Sequence, residues 1–103
     1  MPVSTFLAKA ESLRKKGPLA LMSSDLKLLM NQVKADSGAL RSERLAAKQA
    51  GRPQAFCPPE GGVKLNDKDI LTAMQAVPPA QRAATSTQAA LRAYMGRRFP
   101  CRG

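Results

Sequence analysis

The two cysteines are the residues of this chain whose chemistry is easiest to predict. The sequence has 103 residues, no histidine, two cysteines (Cys57 and Cys101) and seven carboxylates dispersed along the chain. Histidine is the commonest general base and metal ligand, and two thiols without histidine cannot complete a four-ligand zinc site. We therefore predict no catalytic residues, no metal and no cofactor, and we do not expect an enzyme.

Hydroxyl side chains are the other candidate nucleophiles. Ser23 and Ser24, and likewise Thr85 and Ser86, could be combined with Lys27 into a serine–lysine site. Both pairs stand where a helix is expected to begin, and such residues commonly cap helices. Because no base or oxyanion pattern accompanies them, we interpret them as caps.

Cys57 and Cys101 are either two free thiols or one disulfide, and the two states imply different compartments. Cys57 lies in the one long loop, between Phe56 and Pro58, and Cys101 follows Phe99-Pro100 in the last segment. Unrelated buried thiols would stand on helix faces beside other apolar residues. We predict an intramolecular disulfide that ties the loop to the C-terminal tail, and therefore an oxidising compartment.

The elements that position these residues are predicted to be helices. Apolar residues recur at helical spacing, and no stretch alternates apolar and polar residues for long. We predict a single all-α domain, residues 1–103, of about four helices. They run over about 5–16 (capped by Ser4), 25–50, 66–77 (capped by Asn66) and from Pro79 or Thr85 to Gly96, with a capping box at Thr85 and Gln88.

Two segments are predicted to be non-helical. Residues 51–64 contain three glycines and three prolines, so they form a long loop. Residues 97–103 form a basic, extended tail. Residues 19–22 make about one helical turn between the first two helices.

The predicted central helix, 25–50, is longer than a compact domain of this chain length is wide. It would be about 39 Å long, whereas a compact domain of this length is about 34 Å across. Either it kinks at Asp36-Ser37-Gly38, or a second copy of the chain covers its far end. We favour a homodimer. Its interface would be the stripe Leu26, Leu29, Met30, Val33 and Leu40, rimmed by Lys27, Lys34, Arg41 and Arg44. Met22, Met30, Met74 and Met95 are expected to fill the core.

The net charge of +10 is spread over the whole chain. Nucleic-acid modules usually concentrate charge on one face and add stacking aromatics or a recognisable signature, and none is visible, so nucleic acid is not the expected partner. No apolar run is long enough to span a bilayer, so no membrane insertion is expected. The densest basic cluster, Arg92, Arg97, Arg98 and Arg102, suits an acidic protein surface, an anionic lipid or a cell-wall polymer.

Motifs in the second half carry a family resemblance. They are Phe56-Cys57-Pro58-Pro59, a capped helix, Val77-Pro78-Pro79-Ala80-Gln81-Arg82, and a closing Phe99-Pro100-Cys101. Over about residues 55–102 this ordered set resembles the Rap/Tai-type family of small immunity proteins associated with type VI secretion; the first half does not match. The resemblance implies an all-α, often dimeric periplasmic protein with a cleaved signal sequence, a disulfide between the two cysteine motifs, and binding to peptidoglycan-cleaving amidases.

These observations predict a small basic periplasmic binding protein. Its partner would be a toxin amidase, whose cleft it occludes with the loop 51–64 and the helix junction 77–82. Because the N-terminus lacks a signal pattern, this location requires a signal peptide that has been removed. The alternative is a cytosolic basic nucleic-acid-binding or scaffold protein with free cysteines. The candidate binding residues are Arg52, Phe56, Pro58, Pro59, Arg82, Arg97 and Arg98.

Overall fold

The structure of the chain, a computed structural model, describes residues 1–59 and 62–101. These residues form four α-helices and no β-strand, which confirms the predicted all-α class and the number of helices. The helices are α1 (Val3–Lys16), α2 (Ser24–Gln49), α3 (Asp67–Gln75) and α4 (Thr87–Arg98), and the turns Gly17–Met22 and Pro79–Gln81 are 3₁₀ helices.

Two of the predicted helix starts are confirmed. The hydroxyl oxygen of Ser23 accepts a hydrogen bond from the backbone N–H of Asp25, at the start of α2. At α3, Asn66 and Asp69 form a reciprocal capping box with distances of 2.9 and 3.0 Å. Both caps satisfy backbone donors that have no partner inside the helix.

The predicted start of α1 at a Ser4 cap is wrong, because the helix begins at Val3. The reason is a long-range contact. The N–H of Val3 donates to the carbonyl of Thr85, and the N–H of Thr87 donates to the carbonyl of Met1, both at 2.8 Å. The N-terminus is therefore held against the start of α4, and α1 begins earlier in the chain than the local sequence indicates.

The predicted capping box of the last helix is also wrong. The hydroxyl of Thr85 donates to the carbonyl of Gln81, and Ser86 is the residue that caps α4, accepting from the N–H of Ala89. At its other end α4 continues to Arg98, so the tail begins later than predicted. The last two residues of that tail, including Arg102 of the basic cluster, lie outside the described residues.

The central helix α2 continues without interruption through Asp36-Ser37-Gly38, so the alternative of a kink at this position is not observed. A helix of about 39 Å fits because the molecule is elongated, with extents of 46 × 31 × 18 Å. Asp36 is buried and joins α2 to α4, because it accepts hydrogen bonds from the hydroxyl of Thr87 (2.6 Å) and the amide of Gln32 (2.9 Å).

Most of the apolar stripe of α2 is covered within one chain. Leu29 and Leu40 are buried, and Leu26 and Val33 are half-buried against the core. Only Met30, 63% exposed, stays outside. The stripe therefore does not require a second copy, and the homodimer stays a prediction, to be tested by light scattering over a range of concentrations.

The core lies between the four helices, with α2 and α3 each packed against α1 and α4. Met74, Leu91, Val3 and Thr87 are the largest side chains that are fully buried. Met74 and Met95 are core residues as predicted, but Met22 and Met30 are exposed, so that prediction is wrong for both. Helical spacing placed Met22 on an apolar segment without showing which way that segment faces.

The two ends of the molecule differ in character. At one end α1 turns back along the first half of α2, and Lys9 pairs with Asp25 across the two helices at 3.1 Å. Farther along α2, Glu43 pairs with Arg92 of α4 at 2.9 Å. At the other end of the molecule, the chain leaves the last turn of α2 beside the segment that carries Cys57. This is the end at which the sequence predicts the candidate site.

Candidate functional site

Cys57 and Cys101 form the predicted disulfide, with Cα atoms 4.9 Å apart and a sequence separation of 44 residues. Neither cysteine is free, whereas the alternative of a cytosolic protein assumes two free thiols. A disulfide is typical of extracytoplasmic compartments, where the environment is oxidising.

The chain reaches the disulfide through a turn at the end of α2. Gly51 has a φ of +68°, a conformation in which glycine is strongly favoured. The N–H groups of Arg52 and Gly51 donate to the carbonyls of Ala47 (2.8 Å) and Lys48 (3.2 Å). This is a Schellman motif, and it sends the following segment back beside α2.

The segment before the disulfide is fixed on the end of α4. The N–H of Cys57 donates to the carbonyl of Phe99 at 2.8 Å, and the ring of Phe56 is buried in the core cluster. The segment is therefore held at three neighbouring points: a buried ring, a backbone hydrogen bond and a covalent bond.

A cleft of about 840 Å³ opens between α2, α4 and this segment. Its floor is apolar and its outer wall is rich in proline. The floor contains Leu40, Phe56, Leu91 and Met95, and the wall contains Cys57, Pro58, Pro59, Val63 and Leu65. A concave apolar surface with few polar groups is the usual form of a binding site.

The polar groups of the cleft are cationic. Arg41, Arg44 and Lys48 line it from α2, at a spacing of three and four residues that places them on one helix face. None of the described residues that line it is acidic. The Nε atom of Arg44 is buried and has no hydrogen-bond partner among the described residues.

A second, smaller cleft of about 490 Å³ adjoins the first. Arg44 and Arg52 contribute to it, and so does Glu43, which forms two hydrogen bonds of 2.9 Å with Arg92. Its carboxylate is thus already matched by a cation of α4, so the charges that the described lining residues of the two clefts leave to face a ligand are positive.

The structure brings four of the predicted binding residues together. Phe56, Pro58 and Pro59 line the larger cleft, and Arg52 lines the smaller one. Phe56 is only 6% exposed, so it can touch a partner only as part of the floor. Pro59 and Arg52 are exposed at the edge, where a partner would meet them first.

The other three predicted residues lie outside both clefts. Arg82 donates from its guanidinium to the carbonyls of Val77 (2.8 Å) and Gln75 (3.0 Å), so it closes the C-terminal end of α3. Arg97 is exposed on the last turn of α4. Arg98 approaches the carboxylate of Asp69 at 3.4 Å. Binding roles for these arginines stay predictions.

Asp69 connects the cap of α3 to α4. Its carboxylate accepts hydrogen bonds from the backbone N–H of Asn66 and from the hydroxyl of Tyr94, and Arg98 lies beside it. These interactions lower the pKa of Asp69, the backbone hydrogen bond contributing most. The charged form is favoured, and it holds Arg98 near the rings of Tyr94 and Phe99.

Three of the four candidate nucleophiles take part in structural hydrogen bonds. Ser23 and Ser86 cap helices, and Thr85 donates to a backbone carbonyl. Among the residues that the structure describes, no group of three or more cysteine, aspartate or glutamate side chains is placed to hold a metal ion. In the same residues no helix is long and apolar enough to cross a membrane.

Sequence reasoning missed the cationic wall. It assigned Arg41 and Arg44 to the rim of a dimer and gave Lys48 no role. Their spacing alone shows that they share one helix face. It does not show that the segment around Cys57 folds back to form a cleft along that face.

Comparison with known proteins gives no match to a protein-family model, to a curated protein or to a solved structure. The resemblance to Rap/Tai-type immunity proteins therefore rests only on the ordered set of sequence motifs over about residues 55–102.

Proposed function

We propose that this chain is a periplasmic binding protein that takes an acidic segment of a protein partner into the cleft between α2 and the disulfide-linked segment. One observation carries the proposal: Arg41, Arg44 and Lys48 stand in a row above an apolar floor, with no carboxylate among the described lining residues. Such a surface complements a peptide that alternates acidic and apolar side chains, because the acidic side chains would pair with the cations and the apolar side chains would pack on the floor.

The cleft is pre-organised for binding. One wall is a helix, and the other is tied to α4 by the disulfide and by the hydrogen bond from Cys57 to Phe99. Pro58 and Pro59 restrict the backbone of that wall further. A site that is already ordered loses less conformational entropy when a partner binds, so more of the contact energy contributes to affinity.

The resemblance supplies the finer part of the proposal. It implies that the partner is a peptidoglycan-cleaving amidase and that the chain acts as an immunity protein. In that role an acidic segment at the mouth of the enzyme's active site would occupy the cationic cleft. The exposed edge at Arg52 and Pro59 would then cover the substrate groove, and inhibition would require no chemistry from this chain.

The experiment measures binding of a fluorescent peptide of alternating glutamate and leucine by anisotropy. The test variant is Arg41→Gln, Arg44→Gln, Lys48→Gln. Its charge-matched control is Lys15→Gln, Lys16→Gln, Lys27→Gln, which removes as many cations from the other end of the molecule. At about 0.7 kcal/mol for each exposed charge pair, we expect the test variant to bind about thirtyfold more weakly, whereas the control binds as the native protein does.

Equal weakening of both variants would mean that only net charge matters, and the cleft would not be the site. The amidase is tested separately, by turbidity of a peptidoglycan suspension digested with a purified type VI amidase effector. Inhibition that the test variant loses supports the immunity function. Peptide binding without inhibition of such effectors would keep the binding site and overturn the amidase as partner.

A further inference from the structure

The turn between α1 and α2 exposes large apolar side chains. Leu19, Leu21 and Met22 are 69%, 81% and 87% exposed, and Leu28 (44%) and Met30 (63%) follow in the first turns of α2. Scattered exposed leucines are ordinary on a protein surface. Here five of the six exposed large hydrophobic side chains fall within residues 19–30, at one end of the molecule.

The turn directs these side chains outward. Within Leu19-Ala20-Leu21-Met22 the small residue, Ala20, packs partly buried against the core, and the three large residues face away from it. Folding driven by burial alone would favour the reverse arrangement. The orientation is also fixed. Gly17 ends α1 with a φ of +58°, and the N–H of Ser23 donates to the carbonyl of Ala20 at 3.0 Å.

Cations surround this apolar tip, which consists of Leu19, Leu21 and Met22. Lys15 and Lys16 end α1, and Lys27 lies in the first turns of α2. Lys16 stands level with the start of α2, because its ammonium group lies 3.4 Å from the hydroxyl of Ser23. The two carboxylates of residues 9–34 are already paired, Glu11 with Arg14 and Asp25 with Lys9. The apolar tip is therefore bordered by positive charge.

The positive charge of the lysines distinguishes between two partners that could cover the tip, a second copy of the chain and an anionic lipid surface. A second copy would bring the same lysines against each other, in a chain whose net charge is already +10. An anionic lipid surface instead offers acyl chains to the leucines and methionine and phosphate groups to the lysines. Amphipathic elements that lie in a membrane interface combine these two features, and long lysine side chains reach the headgroups readily.

We infer that the 3₁₀ turn Gly17–Met22 is a membrane-surface anchor that inserts Leu19, Leu21 and Met22 into the interface of an anionic bilayer. Lys15, Lys16 and Lys27 contact the lipid phosphates around it. The contact is peripheral and leaves the cleft at the other end of the molecule free. It does not depend on the proposed function, because none of its residues lines either cleft.

Vesicle flotation tests this inference. The full chain, disulfide intact, is mixed with vesicles of phosphatidylcholine alone or with 30% phosphatidylglycerol. One variant is Leu21→Ser, Met22→Ser, and the other is Lys15→Gln, Lys16→Gln, Lys27→Gln. The controls are Leu45→Ser, which removes an exposed leucine (44%) from the far part of α2, and the cleft variant Arg41→Gln, Arg44→Gln, Lys48→Gln.

We expect binding to the anionic vesicles that falls at least about a hundredfold in the apolar variant and about a hundredfold in the lysine variant. Neutral vesicles should bind weakly, and both controls should bind as the native chain does. Equal losses in test and control variants, or no flotation of the native chain, would overturn the anchor. So would a native dimer in sedimentation velocity that Leu21→Ser, Met22→Ser dissociates, because a second copy would then be the partner of the tip. Helix content is checked by circular dichroism, and no change is expected because the substituted side chains are exposed, apart from the half-buried Arg44 of the cleft control.

Discussion

Removal of the disulfide should cost this protein much of its stability. The bond between Cys57 and Cys101 closes a loop of about 45 residues, and the loss of chain entropy in the unfolded state corresponds to about 4 kcal/mol. A domain of about 100 residues shifts its melting temperature by about 4–8 °C for each kcal/mol. Cys101→Ser should therefore melt more than 15 °C lower than the native protein.

The helices should survive this change at low temperature. Phe56 remains buried and the N–H of Cys57 still reaches the carbonyl of Phe99, so the native contacts of the segment stay in place. We expect nearly unchanged far-ultraviolet circular dichroism but faster proteolysis between Gly51 and Pro59. The measurement is thermal melting by circular dichroism, with Cys57→Ser, Cys101→Ser as a variant that has no odd thiol.

Two results would refute this reasoning. Thiol titration of the denatured, unreduced native protein should find no free thiol, and two free thiols would show that the bond does not form. A loss of less than about 5 °C in both serine variants would show that the bond forms without constraining the unfolded chain as the loop length requires.

Two further predictions concern α2. Thr87→Val leaves the buried carboxylate of Asp36 without its 2.6 Å hydrogen bond and should lower the free energy of unfolding by about 1–3 kcal/mol in urea titrations. A cycle with Asp36→Ala, which removes the acceptor, should show coupling of at least about 1 kcal/mol, and additive losses would contradict a direct bond. Gly38→Ala, at an exposed helical position with open space around it, should raise stability by about 1 kcal/mol. Gly51→Ala, at a φ of +68°, should lower it by about 1 kcal/mol, so shifts of the same sign in the two melting temperatures would be inconsistent with the structure.

The local signals of the sequence were sufficient for the number of helices, for the starts of α2 and α3 and for the disulfide. Ser23 and Asn66 cap helices through groups two or three residues away, so their effect is contained in the local sequence. The glycine after α2 and the prolines after α3 end helices for reasons that are equally local. The prediction that Cys57 pairs with Cys101 needed only the positions of the two residues in a loop and a tail.

Contacts between distant residues decided the rest. The starts of α1 and α4 depend on two hydrogen bonds between distant parts of the chain, from Val3 to Thr85 and from Thr87 to Met1. The buried pair of Asp36 and Thr87 likewise keeps α2 joined to α4 at the position where the sequence allowed a kink. From the local sequence alone, Asp36 and the nearby Gly38 could interrupt the helix. The burial of Asp36 becomes favourable only because a residue on another helix, Thr87, donates a hydrogen bond to its carboxylate.

The functional surfaces depend on tertiary structure most of all. The sequence contains Arg41, Arg44 and Lys48 at helical spacing, and it contains the apolar run that ends at Met22. Spacing indicates which residues share a face, because the helix period is fixed by backbone geometry. What lies opposite that face depends on how the chain packs. The return of the segment at Cys57 makes the basic face of α2 a cleft, and the inward position of Ala20 leaves its larger neighbours exposed.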